Sequence, residues 1–487
     1  MKSFWRIALV LIFLLAVAFR VFLIFNRAPG GDEIWTFFLI KSSFKDIFLG
    51  TLSEMQLPFF FSFLHTLSAV TGVTLEILHL RLIALLFGIL SSFAIAFLVT
   101  DILGKRAGGL AFLLSLFLPA SIWTSVFGRY YSFLILLTAL AILVFTRFLE
   151  TRKRKNLLYL LLISFFGIYT HYYFLLLIFS FGVFLLLARK GWWFFKNWLY
   201  FFLGALVLFA PAVFYFFSLP KQQIWMRDSI LKIPAAILAN VASLETLFYI
   251  FYHDYSFLPL TFLALLSVAL IFLLFLGLKG CGKDYRFLFL TILIFPLVAI
   301  LTVSLATEFL WGVSSVLGVN SLLIFWPAFV ALLAKGLEID LAGKKILSVT
   351  FATLVLLSLF FFGQASKPQP VYTEPYQFLN QEFREGDLVL HADIYTFLQA
   401  RYYLKRDVNF GATPTTFAPP TEVALGYKIL PEDAIFSHKG KLWYFEPGYY
   451  NLPPARNFKA QLDKNFTLLS EKYFPESTTR VYLYDYK

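Results

Sequence analysis

The chain has 487 residues, 60% of them hydrophobic and 14% charged, with a formal net charge of +13. Soluble domains carry about 25% charged residues, so the composition excludes a water-soluble globule. A single cysteine, Cys281, excludes an internal disulfide and a thiolate zinc cluster, and the six histidines show no metal-ligand spacing.

Apolar runs of about 20 residues, enough to cross about 30 Å of hydrocarbon, recur over the first three quarters. They predict spans at 5–25, 80–100, 107–126, 130–149, 157–172, 173–188, 198–217, 257–278, 287–305, 316–335 and 346–363. This is an all-α polytopic membrane domain of about eleven transmembrane helices over residues 1–363. The first run is too long for a cleaved signal, and no small-residue cleavage site precedes "NRAPGG". Spans 157–172 and 173–188 are one apolar stretch split at Tyr169-Thr170-His171-Tyr172-Tyr173, which predicts a tight turn.

Lys and Arg cluster in every second loop: Lys2 and Arg6, Lys105 and Arg106, Arg152 to Lys155, Arg189 and Lys190, Lys279 and Lys283, Lys344 and Lys345. This is the positive-inside pattern for a cytoplasmic N-terminus. It accounts for much of the positive charge without nucleic acid. The expected location is the cell (inner) membrane, multi-pass, with the C-terminal domain extracytoplasmic.

The first outer loop, about 26–79, is too apolar to be free and predicts short amphipathic helices lying in the interface. It carries "NRAPGGDEIWTFF", with Asp32 and Glu33 adjacent. Two readings of this pair stand. Asp32 caps a helix by accepting from Ile34 or Trp35, and Glu33 suits the helix dipole; or the acids have a chemical role. Arg129, in "SVFGRYYSFLILL", lies at the same outer face. It either snorkels to headgroups or anchors a phosphate through two parallel hydrogen bonds. His171 is either an interfacial polar residue or a catalyst. Lys221, Arg227 and Lys232 are outer cations that either meet headgroups or hold an anionic ligand. Arg81 opens the second span, with Glu76 or an acid of the long loop as its expected partner. Arg20 is expected to snorkel.

Residues 364–370 form a polar, proline-containing linker, and 371–487 predict a small extracytoplasmic α/β domain. In it "YQFLNQEFR" and "DIYTFLQARYYL" predict helices, and "GDLVLHA", "LWYFE" and "RVYLYDY" predict strands.

An acidic pair after the first span, a proline-aromatic segment, and Arg-Tyr entering the fourth span resemble the GT-C superfamily of polytopic glycosyltransferases. The resemblance is to the branch holding protein O-mannosyltransferases, the lipid A aminoarabinose transferase and the Rgt-like enzymes. It rests on "GDEIWTFFLI", "MQLPFFFSFLH", "LHLRLIALLFGIL", "LPASIWTSVFGRYYSFLILL" and "THYYFLLL", covering about the first 180 residues. Two positions depart from it. Family members often have His-Pro-Pro or Asn-Pro-Pro where this chain has Gln56-Leu57-Pro58, and Arg-Tyr near a late span where this chain has Gly318-Val319-Asn320.

The resemblance implies a GT-C-like fold and an inverting glycosyltransferase. It would move a sugar from a polyprenyl-phosphate donor to a hydroxyl of a glycan, lipid or protein acceptor, beside membrane lipid. It implies Asp32 as general base, Glu33 as a supporting acid, and Arg129 with Tyr130 at the donor phosphate. Lys221 or Arg227 would replace the missing late arginine, and Pro58, Arg81, His171 and Tyr172 would be substrate-site candidates. Because the leaving group is a phosphate, no cofactor or metal is required, though a bound divalent cation stays compatible. The rival is a transporter or lipid flippase for an anionic lipid-linked substrate. Transporters place ionisable groups near the bilayer midplane, whereas these charges sit at span ends.

Overall fold

A computed structural model describes residues 2–218, 257–311, 323–356, 373–404, 409–412, 419–447, 453–475 and 479–486, a few positions within them excepted. The chain divides into two compact units. One comprises residues 1–26, 78–214 and 226–367; the other comprises 27–77, 215–225 and 368–487. The first loop is therefore grouped with the C-terminal tail. The expected linker 364–370, most of span 346–363, and the loop bearing Lys221, Trp225, Arg227 and Lys232 lie outside the described residues.

The membrane unit is helical: α1 (Lys2–Asn26), then α5 (Ile77–Leu103), α6 (Lys105–Phe117), α7 (Pro119–Val126), α8 (Tyr131–Thr151), α9 (Lys155–Thr170), α10 (Phe174–Leu187), α11 (Trp192–Ser218), α12 (Phe257–Gly280), α13 (Lys283–Trp311) and α14 (Trp326–Ala342). Helices stand at each predicted span up to 316–335, the last shifted to Trp326–Ala342. Five described helices are long and apolar enough to cross a membrane, six if α6 and α7 count as one span bent by 56°. The bend has a local cause. Pro119 opens α7 and drives Leu118 into extended backbone, at φ −65° and ψ 131°. Helices α9 and α10 are shorter because the chain reverses within Thr170–Phe174. Gly167 permits that turn: a methyl there would strike the Phe174 ring.

Charge pairs close one end of this unit. Arg147 meets Asp101 and Lys190 meets Asp284, while the Tyr285 hydroxyl donates to Glu150 at 3.0 Å. All lie at the ends carrying the basic loops. Inside, α12 and α14 approach through glycines. A methyl on Gly277 would overlap the Leu332 carbonyl, and one on Gly336 the Leu273 carbonyl. Small residues bring helix backbones together where lipid supplies no hydrophobic drive. The expectation that Arg20 snorkels fails. Arg20 is 3% exposed and donates to the Ser125 hydroxyl at 2.8 Å and the Ala16 carbonyl at 3.1 Å. Its position one turn and a half before Asn26 leaves it among helix neighbours that satisfy it within the protein.

The second unit joins α2 (Gly31–Leu39), α3 (Phe44–Ser53) and α4 (Phe59–Thr71) to the tail. The tail runs α15 (Glu374–Glu382), β1 (Leu388–His391), α16 (Ile394–Leu404), β2 (Asn409–Gly411), α17 (Pro419–Leu425), α18 (Glu432–Phe436), β3 (Leu442–Pro447), α19 (Pro453–Asn465), β4 (Phe466–Phe474) and β5 (Thr479–Tyr486). Its sheet has the order β2-β1-β3-β5-β4. Strand β1 is parallel to β2 and β3, with Leu390 opposite Phe410 and Tyr444; β5 runs antiparallel to β3 and β4. The "LVLH" run is buried along its length, as a central parallel strand requires. Leu390, Tyr444 and Tyr482 pack on one face; Val389, Trp443 and Val481 pack on the other.

Candidate active site

In the membrane unit, four of the expected site residues, Arg129, Tyr130, His171 and Tyr172, lie together where helices meet opposite the basic loops. α7 ends at Val126, and a tight turn follows in which the Arg129 amide donates to the Phe127 carbonyl at 2.6 Å. Trp123, Phe127 and Tyr131 stack around that turn, with ring centroids 5.0–5.8 Å apart. The Ser132 hydroxyl donates to the Ala84 carbonyl at 2.8 Å and fixes the start of α8 against α5. Arg129 and Tyr130 are each 3% exposed, and the guanidinium lies 5.5 Å from the Tyr130 ring. Such burial is incompatible with a side chain snorkelling to headgroups.

His171 comes from the turn between α9 and α10. Its ring centroid is 5.6 Å from that of Tyr130 and 4.8 Å from those of both Tyr172 and Tyr173. The Tyr173 amide donates to His171 Nδ1 at 3.3 Å, so the neutral imidazole keeps its proton on Nε2. Arg129, Tyr130 and His171, all buried, and the half-buried Tyr172 thus form one donor-rich cluster. Guanidinium N–H, phenol O–H and imidazole N–H groups match acceptor oxygens such as those of a phosphate. Arg81, also buried, lies one turn before Ala84 and donates to the Ile24 carbonyl at 2.8 Å. Its expected acid Glu76 forms an ion pair with Lys41 at 3.7 Å.

In the second unit, the acidic pair lies in the first turn of α2, with Asp32 two residues past the N-cap. Gly30 is the N-cap, in extended backbone at φ −78° and ψ 159°, and its carbonyl accepts from Glu33 and Ile34 amides at 3.0 and 3.1 Å. The expectation that Asp32 is the cap is therefore corrected. Asp32 occupies the second helical position, while Glu33 performs the capping. Glu33 Oε2 accepts from the Gly30 amide at 3.0 Å and from Arg27 Nη2 at 2.9 Å, and its side chain is fully buried. Asp32 is half-buried. Pro58 caps α4, and its carbonyl accepts from the Ser62 amide at 2.9 Å.

The tail holds this helix. The Tyr395 ring lies 3.4 Å from where a Gly31 methyl would sit, Tyr402 meets Phe37 edge-on at 5.5 Å, and the Arg401 guanidinium sits 4.8 Å from the Phe38 ring. α3 is fixed likewise, the Thr421 hydroxyl lying 3.0 Å from the Gly50 carbonyl and 2.9 Å from the Ser53 hydroxyl. Arg27, Tyr395 and Tyr402 were missed from sequence. Arg27 is six residues from Glu33, a spacing with no helical meaning, and the tyrosines lie hundreds of positions away. α16 itself starts at a buried carboxyl: Asp393 Oδ1 accepts from the Thr396 amide at 2.8 Å. Burial pushes the Asp393 carboxyl up to about 6, against the pull of its Thr396 and Tyr395 hydrogen bonds. Burial pushes the neighbouring His391 imidazole down to about 3, partly offset by its hydrogen bond to Asn409.

Residues 56–215 match the family described as dolichyl-phosphate-mannose-protein mannosyltransferase. No curated protein matches the chain. Among solved structures, ArnT from Cupriavidus metallidurans in the apo state superposes with TM-score 0.61 at 12% identity, covering 99% of this chain and 98% of that one. The same enzyme bound to undecaprenyl phosphate gives TM-score 0.56 at 14% identity, with 99% and 98% covered. With a mannosyltransferase-family match across its Arg129 cluster and an ArnT-like fold over its whole length, the chain is a polytopic membrane protein of the GT-C glycosyltransferase fold.

Proposed function

We propose that the chain is an inverting glycosyltransferase of the cell (inner) membrane, taking a sugar from a polyprenyl-phosphate donor to an acceptor hydroxyl at the outer face. The observation that carries this is the cluster of the buried Arg129, Tyr130 and His171 with the half-buried Tyr172 within the family-matched segment. ArnT, whose fold the chain shares, binds undecaprenyl phosphate, which supports a lipid-linked donor.

In this reading the acceptor oxygen attacks the anomeric carbon as the bond to the phosphate oxygen breaks. The acceptor proton passes to the Asp32 carboxylate, and the phosphate leaves with the bonding electrons. One displacement through an oxocarbenium-like state inverts the centre. Arg129, with Tyr130, stabilises the charge growing on the leaving phosphate, and Lys221 or Arg227 contributes a further cation. His171 and Tyr172 wall the donor site beside them, while Arg81 fixes the start of α5 and Pro58, at the start of α4, stays a substrate-site candidate. The leaving group is already stabilised, so the step needs no resident metal.

Binding of undecaprenyl phosphate to the purified protein tests the reading. Arg129→Ala is expected to weaken binding about ten- to hundred-fold, as loss of a charge-assisted bidentate contact does. Arg129→Lys restores it only in part, since an ammonium lacks the planar fork. Unchanged binding by Arg129→Ala overturns the assignment of the phosphate site.

A further inference from the structure

At the opposite end of the membrane unit, where the basic loops lie, α9 and α11 leave a groove between them. It is an open groove of about 330 Å³, lined by Arg154, Leu157, Leu158, Leu161, Asn197, Tyr200 and Phe201. At about 30 Å³ for each water-sized group, this holds on the order of ten non-hydrogen atoms, the size of a glycerophosphate.

The groove is graded in chemistry. Its mouth is cationic: Arg154 sits at the N-cap of α9, next to Lys155, and the Lys196 ammonium lies 5.8 Å from the Tyr200 ring. Its floor is apolar, with Phe201 only 6% exposed. Its α9 wall is exposed and lipid-like, with Leu158 57% exposed, and the helix surface beyond it continues so at Leu162, 52% exposed. Trp192 and Trp193, exposed at the start of α11, mark the level of a headgroup belt. The first-turn amides of α9 add the positive end of a helix dipole at the same mouth. A soluble anion would use the mouth and leave the apolar floor wet. A lipid with an anionic phosphate uses both.

We infer that this groove is a binding site for an anionic phospholipid, with the phosphate at Arg154 and the first methylenes of an acyl chain along Leu157, Leu161 and Phe201. The site lies away from the Arg129 cluster, so it stands independently of the proposed transfer reaction. Juxtamembrane cations attract anionic lipids in general; the groove adds a defined seat.

The full-length protein in nanodiscs of mixed phosphatidylglycerol and phosphatidylcholine, released and weighed by native mass spectrometry, provides the test. The wild type is expected to retain phosphatidylglycerol preferentially. Arg154→Ala, an exposed change that leaves folding intact, should lower that retention about ten-fold. Leu161→Trp should lower it comparably with every charge kept, because the floor is filled. Arg189→Ala, an exposed cation outside the groove, should leave it unchanged. Equal losses in Arg154→Ala and Arg189→Ala would reduce the effect to general surface charge and overturn the site. Wild-type retention in Arg154→Ala, or release of the lipid by millimolar inorganic phosphate, would overturn it too.

Discussion

At the scale of single residues, the two adjacent acids differ in what holds them, and the proposed general base is the one that caps nothing. Glu33 is tied to the Gly30 amide and to Arg27, whereas Asp32 is the second residue of α2. Replacing Asp32 by Asn removes no cap, because Gly30 occupies that place. Asp32→Asn is therefore expected to unfold at the wild-type temperature and to transfer sugar about 10²–10⁴-fold more slowly, the usual cost of losing a general base. Arg27→Ala should do the reverse in kind, lowering thermal stability by leaving a buried carboxylate without its cation. Wild-type turnover by Asp32→Asn would return that residue to a purely structural role.

The same scale sets a pH dependence in the tail. The Asp393 carboxyl, up to about 6 in the folded state from an ordinary 3.8, takes up a proton more readily folded than unfolded. Its contribution to stability is full below about pH 4 and is lost as pH rises through about 6. His391 works oppositely. Held down to about 3 from 6.5, it contributes fully above about pH 6.5 and its contribution is lost as pH falls toward 3. Urea unfolding from pH 4 to pH 7 should therefore show Asp393→Asn losing less stability than wild type as pH rises. An unchanged slope would mean that this carboxyl titrates normally in the fold.

At the scale of elements, helix pairing depends on missing side chains. The α12–α14 contact has Gly277 and Gly336 each against a carbonyl of the partner helix. A backbone carbonyl cannot rotate away as a side chain can. Gly336→Val is expected to cost about 1–3 kcal/mol, the usual penalty for overpacking, and more if the helices separate. A thermal-unfolding midpoint equal to wild type would mean that the pair is held elsewhere. Gly167 plays a comparable part at the α9–α10 turn, where the close Phe174 ring sets the position of His171.

At the scale of the whole molecule, the alternation of basic loops predicts an orientation that is open to chemical test. A cysteine at the exposed Ser437 should react with an impermeant thiol reagent on intact cells, and the buried Cys281 should give little background. Labelling only after permeabilisation would invert the topology and move the proposed site to the cytoplasmic face. The grouping of residues 27–77 with the tail bears on function at this scale as well. Helix α2, which carries the acids, is packed by Tyr395, Tyr402 and Arg401 of α16.

The sequence by itself determined the membrane class, the places of most helices, the tail strands β1, β3 and β5, and the residue types of the candidate site. These follow from local rules: apolar length, period-two alternation and charge at span ends. The short strand β2 and the edge strand β4 escaped, because three residues carry no period and β4 is exposed along most of its length. What only the tertiary structure decided is how distant residues divide the work. Arg20 is satisfied by Ser125, which no spacing announces. Tyr130 meets His171 because the start of α8 and the α9–α10 turn pack together, and α2 rests on a helix from the far end of the chain. Each is a contact between segments whose separation in sequence carries no geometric information, so packing alone could specify it.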